Sequence, residues 1–194
     1  MTAPLPARAR RRGPGSRADD HHPTRQELLD AAVALAERDG LNALAVARVT
    51  AAAGHAKGTF YIHFPDRAAF LVALHRRFHD TLFSQVLNAT STENPGPERV
   101  RRRLLAFLDG CRALPGVRAL LRDACAEAPV AAEVSRRNHQ AAVVLAADLA
   151  GSCSRPRETA YFLVLAAADL AARESERRRR LPAARHALLD LVPD

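Results

Sequence analysis

Gly54-His55-Ala56-Lys57-Gly58-Thr59-Phe60-Tyr61-Ile62-His63-Phe64-Pro65-Asp66-Arg67-Ala68-Ala69-Phe70-Leu71 is the stretch on which the fold turns. Its spacing predicts a short helix stopped by Pro65, with Asp66 capping a second helix that begins at Arg67. Phe60 and Phe64 lie four apart on one face of the short helix, and with Phe70 they predict an apolar anchor. Lys57, Thr59 and Tyr61 bring a cation and two hydroxyls to the helix start, where free amides and the dipole already favour an anion. Gly58 lets another backbone come close. One face packed and the other polar and cationic suits a helix lying in the major groove of DNA.

Upstream, Thr24 and Glu27 match a capping box and predict a helix over Arg25–Asp39, ended by Gly40. Leu28, Leu29, Ala32, Val33, Leu35 and Ala36 recur on its buried face. An apolar connection through Leu41, Leu44 and Val46 leads to a short helix over Ala47–Ala53 and then the Gly54 turn. Two short helices joined by a glycine turn, with a longer helix on each side, form a helix-turn-helix. The flanking helix runs from Arg67 to about Leu87, and the turn-rich stretch 88–97 marks a boundary. Beyond it the patterns are helical over Glu98–Leu114, Val117–Glu127, Val130–Leu149, Pro156–Glu176 and Ala183–Leu191, with Pro129 read as a stop. The expected fold is all-α: a flexible basic arm (1–23), an N-terminal helix-turn-helix domain (24–87) and a C-terminal helical domain (97–194).

The chain has 194 residues and a formal charge of +8, and 48% apolar residues exclude wholesale disorder. No apolar run approaches the ~20 residues of a membrane span, and no signal peptide follows the N-terminal arginines, so a cytoplasmic protein with no membrane partner is expected. Residues 1–23 carry +3, 24–80 only +1 and 81–194 carry +4, and of the 29 cations Lys57 is the sole lysine. So small a charge over the DNA-binding unit favours a few placed contacts over a non-specific coat. Cys111, Cys125 and Cys153 are too scattered for a disulfide framework or zinc cluster. There is no phosphate loop, nucleophile elbow or His-Glu metal spacing, so neither an enzyme nor a cofactor is expected. His21 and His22 are read as surface residues of the arm. His75 and His79 have a spacing that could hold a metal, but only Asp80 accompanies them, and no metal site is assigned.

The stretch 54–71 resembles the DNA-binding signature of the TetR/AcrR transcriptional regulators, a pattern close to G-V-S-K-G-T-hydrophobic-Y-x-[HY]-F-x-[SND]-K-x-x-L. Gly40, Leu41, Val46 and Val49 match the approach to it, and the detailed resemblance covers 24–74. It implies a sequence-specific regulator, commonly a ligand-responsive repressor, that binds a palindromic operator in double-stranded DNA as a homodimer. Lys57, Gly58, Thr59, Tyr61 and Arg67 are the implied DNA contacts, with Arg48 and Thr50 as minor ones. His63 is either a DNA-backbone contact or a structural bridge. The chain departs from the pattern at His55, where a small apolar residue is usual, and at Ala56 and Ala45, where serine or threonine would cap a helix.

The same resemblance implies a small-molecule cavity in the C-terminal domain and a dimer built on the last two helices. Pocket candidates are Phe83, Leu104, Phe107, Leu108, Cys111, Leu121, Cys125, Val144 and Tyr161, with Asn138 and His139 as polar contacts. So aliphatic a set suits a lipophilic effector. Ala160–Ala168 is apolar all round and demands burial on more than one side. Leu163, Ala167, Leu170 and Leu188 are accordingly the dimer candidates. The rival reading is a helical DNA-binding protein without an effector, constitutive or architectural.

Overall fold

The computed structural model describes residues 22–39, 44–114, 117, 118, 122 and 124–194, and among them the regular elements are eight α-helices. They are α1 (Pro23–Asp39), α2 (Val46–Ala52), α3 (Lys57–His63), α4 (Arg67–Ala89), α5 (Pro97–Ala113), α6 (Ala128–Asp148), α7 (Pro156–Arg177) and α8 (Pro182–Asp190). Val117, Arg118, Arg122 and Ala124, between α5 and α6, are also helical. None of these helices is long and apolar enough to cross a membrane. The basic arm up to residue 21, the Gly40 stop with Leu41, and Leu121 lie outside the described residues.

Local chemistry explains most helix ends. Asp66 caps α4 by accepting the Ala69 amide at 2.7 Å. Gly54, with φ +71°, makes the left-handed turn between α2 and α3. Helices α5 to α8 each begin with proline in the first turn, where its missing amide costs nothing. Pro129 thus opens α6, a correction to its reading as a stop. The capping box at Thr24 does not form either. Pro23 takes the first helical position, His22 Nδ1 accepts the Thr24 amide at 3.2 Å, and Glu27 turns away to His55 Nε2 at 2.6 Å.

Two kinds of core result. In the N-terminal unit Phe60, Phe64 and Phe70 are fully buried, with ring centroids 5.0–5.2 Å apart. Their mutual packing fixes α3 against α4, and Leu28, Leu29 and Leu35 of α1 belong to the same buried cluster.

The C-terminal part is organised instead around buried carboxylates. Asp148 accepts from both Arg99 and Arg103, while Arg103 Nε donates to Thr90 Oγ1 at 3.1 Å. Glu133 is shared by Arg76, Arg136 and Arg137. Burial alone would raise its pKa, but hydrogen bonds from the three guanidiniums outweigh that and bring it down to about 2. Glu174 takes a bidentate Arg185 and the Leu181 amide, which ties α8 to α7. The Arg76–Glu133 and Asp80–Arg137 pairs share one sequence offset, so α4 and α6 run in the same direction. Across α5, a Cβ on Gly110 would lie 2.2 Å from Leu82 Cδ1, so that crossing is as close as glycine allows.

Candidate nucleic-acid interface and the adjoining cavity

Helix α3 begins without a side-chain cap at Ala56 and buries Phe60 and His63. Its opposite side is open: Lys57 and Gly58 are exposed, as are Tyr61 at 52% and Ile62 at 46%. A Cβ on Gly58 would meet nothing within 4 Å, so no contact inside the chain requires glycine there. The structure therefore gathers Lys57, Gly58 and Tyr61 on one exposed face, with Thr59 half-buried beside them. Ile62 belongs to this face and went unnoticed in the sequence, although its four-residue spacing from Gly58 could have placed it there. An exposed branched aliphatic suits a thymine methyl in the major groove.

Three sequence expectations change at this surface. His63 is buried, its ring packs on His22 at 4.7 Å, and its carbonyl accepts Arg25 Nη1 at 2.8 Å, so it is a bridge inside the unit and not part of the exposed face. His22 is correspondingly a packed residue at the start of α1, not a surface member of the arm. Thr50 is buried and its hydroxyl donates to the Val46 carbonyl at 3.0 Å within its own helix, which removes it from the exposed face. Arg48 and Arg67 are exposed, but each has a carboxylate partner, Asp39 and Glu127. His55 fills the turn by pairing with Glu27, which explains how the unit accommodates a large polar residue there.

Behind this unit, helices α4, α5, α6 and α7 line a partly open cavity of about 90 Å³. Phe83, Leu104, Phe107 and Val144 line it; Leu108 and Cys111 are buried but do not, and Cys125 and Tyr161 lie off it. Burial pushes the Cys111 thiol up to about 11, so it is an inert packing group. Asn138 contributes to the lining, whereas His139 packs its ring against Tyr161 at 5.1 Å. Polar groups that the sequence does not lead one to expect here are His79, Arg103, Arg137 and Gln140. His79 stacks on the buried His75 at 4.2 Å, and burial pushes the pair down to about 2 and about 4, helped by neighbouring positive charge, so both rings are neutral near neutral pH. Among the described residues no three His, Cys, Asp or Glu side chains converge as metal ligands would.

The proposed dimer residues need correction. Leu163, Ala167 and Leu170 of α7 and Leu188 of α8 are 2–6% exposed within a single chain, because all four face its own core. The large apolar groups left outside in this part of the chain are Phe162 at 69% and Leu165 at 38% on α7, Val143 at 70% on α6 and Leu191 at 62% just after α8.

The N-terminal domain model of the bacterial regulatory proteins of the tetR family matches residues 28–74, which span α1 to the first two turns of α4. YuxN of Bacillus subtilis, an uncharacterised helix-turn-helix transcriptional regulator, is 28% identical over 81 residues, covering 42% of this chain and 28% of YuxN's own length. Among solved structures, the fatty acid degradation regulator FadR of Bacillus halodurans superposes with a TM-score of 0.73 over 89% of this chain and 95% of its own, at 15% identity. A transcriptional regulator of Rhodococcus sp. RHA1 does so with a TM-score of 0.69 over 87% and 93%, at 21% identity. At such identities these two are likenesses of fold, whereas the match over 28–74 falls on the helix-turn-helix itself. Residues 28–74 thus match the N-terminal domain of the tetR family of bacterial regulatory proteins, and over most of its length the chain shares the fold of solved transcriptional regulators.

Proposed function

We propose that this protein is a ligand-responsive repressor that binds an inverted-repeat operator as a homodimer. The observation that carries the reading is the exposed face of α3, Lys57, Gly58, Tyr61 and Ile62, fixed on a rigid aromatic core and joined through α4 to a mostly apolar cavity. In this reading residues 24–87 are the DNA-binding domain and 97–194 the effector and dimerisation domain. Lys57, Thr59, Tyr61 and Arg67 hold phosphates, with Arg48 at the edge, and Ile62 reads bases. Arg67 stands at the start of α4 and the cavity lies twelve to twenty residues along the same helix. A ligand that spreads α4 from α6 therefore tilts the end of α4 that supports α3. Control requires the ligand to bind the tilted form better, and DNA then weakens the ligand by the same factor.

The second copy docks on the outward face of α6 and α7, around Val143, Phe162 and Leu165. Two-fold pairing there sets the α3 helices for successive major grooves, about 34–36 Å apart. The test is Phe162→Glu. Sedimentation should give a monomer with an intact helical signal, and operator affinity should fall with it. A variant that stays dimeric contradicts the interface; a monomer that still binds a full inverted repeat tightly contradicts the dimer mechanism.

A further inference from the structure

The charges that line the cavity are balanced from inside the chain. Its charged lining residues are Arg103 and Arg137, and among the described residues no Asp or Glu lines it. Arg137 is held by both Asp80 and Glu133, and Arg103 by Asp148 and the Thr90 hydroxyl. The guanidiniums in excess around Glu133, those of Arg76 and Arg136, are 50% and 45% exposed, so their charge is left to water. His79, the remaining titratable lining residue, is neutral near pH 7. An anion entering here would have to draw a guanidinium from its carboxylate, and a cation would meet no carboxylate in the lining. Either would shed its hydration without a matching return.

The uncommitted polarity of the lining is gathered at one level. Because Arg76–Glu133 and Asp80–Arg137 share one sequence offset, His79 and Phe83 of α4 lie level with residues 136 and 140 of α6. His79, Arg137, Asn138 and Gln140 therefore stand at the same end. Asn138 is half-buried and Gln140 exposed, and each side-chain amide offers both donors and an acceptor. From His79 the wall runs on through Val86 to Leu87, about 12 Å along α4, with Val144 level with it and Arg103 beyond. A few polar groups on an otherwise apolar wall orient a ligand, while the wall supplies most of the affinity. Resting on the reading of this cavity as the effector site, we propose that it takes an uncharged amphiphile, with a carbonyl head such as a primary amide at Asn138 and Gln140 and an aliphatic tail along α4 towards Leu87 and Val144. This goes beyond a merely lipophilic effector in fixing the charge of the head group and the end at which it sits.

Calorimetric titration of the full chain at pH 7 with octanamide, octanoate and octylamine tests it. Octanamide should bind, and the anion and the cation of equal length should bind at least about ten-fold more weakly, since the lining matches neither charge. Asn138→Leu should weaken octanamide about five- to ten-fold, and Gln140→Leu, at an exposed position that leaves the core untouched, about two-fold. Val144→Phe, which fills the tail end, should penalise octanamide more than hexanamide. Octanoate or octylamine binding as tightly as octanamide, an octanamide affinity unmoved by Asn138→Leu and Gln140→Leu, an equal penalty on both amides from Val144→Phe, or no binding of octanamide overturns the proposal. Operator affinity measured in parallel separates it from the reading beneath it. Octanamide bound without any change in operator affinity keeps the site and overturns the effector role. An operator released by octanoate or octylamine, with octanamide unbound, does the reverse.

Discussion

The two halves of the molecule are held together differently. Around α3 the cohesion is aromatic: three phenylalanines meet with centroids 5.0–5.2 Å apart, and the cations of the exposed face lie outside that core. Around the cavity, cohesion runs through Asp148, Glu133 and Glu174, each under 5% exposed and each held by one to three arginines. An aromatic core fixes a recognition surface rigidly and is indifferent to pH and salt. Carboxylate networks have few alternative pairings, so a domain built on them can switch between discrete arrangements, which suits the ligand response proposed for that half.

The largest effects should separate the halves. Phe60→Ala should cost about 3–5 kcal/mol through the void it leaves, and Asp148→Asn about 3–5 kcal/mol through the uncompensated charge of Arg103. Guanidinium or urea melts read both. Retention of operator binding by Phe60→Ala, or a loss under 1 kcal/mol for Asp148→Asn, would break the contrast.

Acid should act next, and around the cavity first. His75 and His79 sit at about 4 and about 2 when folded, against about 6.5 when unfolded. Because the unfolded chain binds protons that the folded one refuses, stability is full above pH 6.5 and falls below it. Each histidine contributes a slope of up to about 1.4 kcal/mol per pH unit, until pH reaches its folded pKa. Glu133 adds loss only below its unfolded value near 4.5, since its folded pKa is depressed. Urea melts from pH 7 to 5 should show the histidine slope, and His79→Leu should reduce it; a flat profile over that range removes the buried neutral pair from the account.

Smaller still is Gly110→Ala. The new methyl must displace the end of the Leu82 side chain, at about 1–3 kcal/mol, and the displaced side chain intrudes on the cavity. A variant as stable as the parent would mean that α4 and α5 can separate freely. The mildest change is Lys57→Ala at the exposed face. It should leave stability unaltered and make the salt slope of log K for DNA shallower by about 0.9, one phosphate contact's worth.

The same contrast explains what was legible in the sequence. The aromatic half is local: Phe60, Phe64, Pro65, Asp66 and Phe70 lie within eleven residues, so spacing alone predicted the packed face, the stop and the cap. His63 misled because its partners, His22 and Arg25, are some forty residues away and no periodicity reveals a buried imidazole. The other half is long-range throughout. Nothing in the run Arg99-Val100-Arg101-Arg102-Arg103 tells which guanidinium will reach Asp148, and a charge run reads as a solvated face. The stretch Ala160–Ala168 is apolar all round, and the sequence alone does not show which of its faces the chain itself covers. It turns Leu163 and Ala167 into its own chain and leaves Phe162 and Leu165 outside, a distinction set by the placement of α5 and α6.

The central claim, that the exposed face of α3 reads a specific duplex in two copies, is tested most directly by selecting bound sequences from a random pool of double-stranded DNA with the full chain. The account predicts one enriched inverted repeat with half-sites about 34–36 Å apart, and an altered base preference within each half-site for Ile62→Ala. No enrichment over the starting pool, or an enriched site without two-fold symmetry, would contradict it.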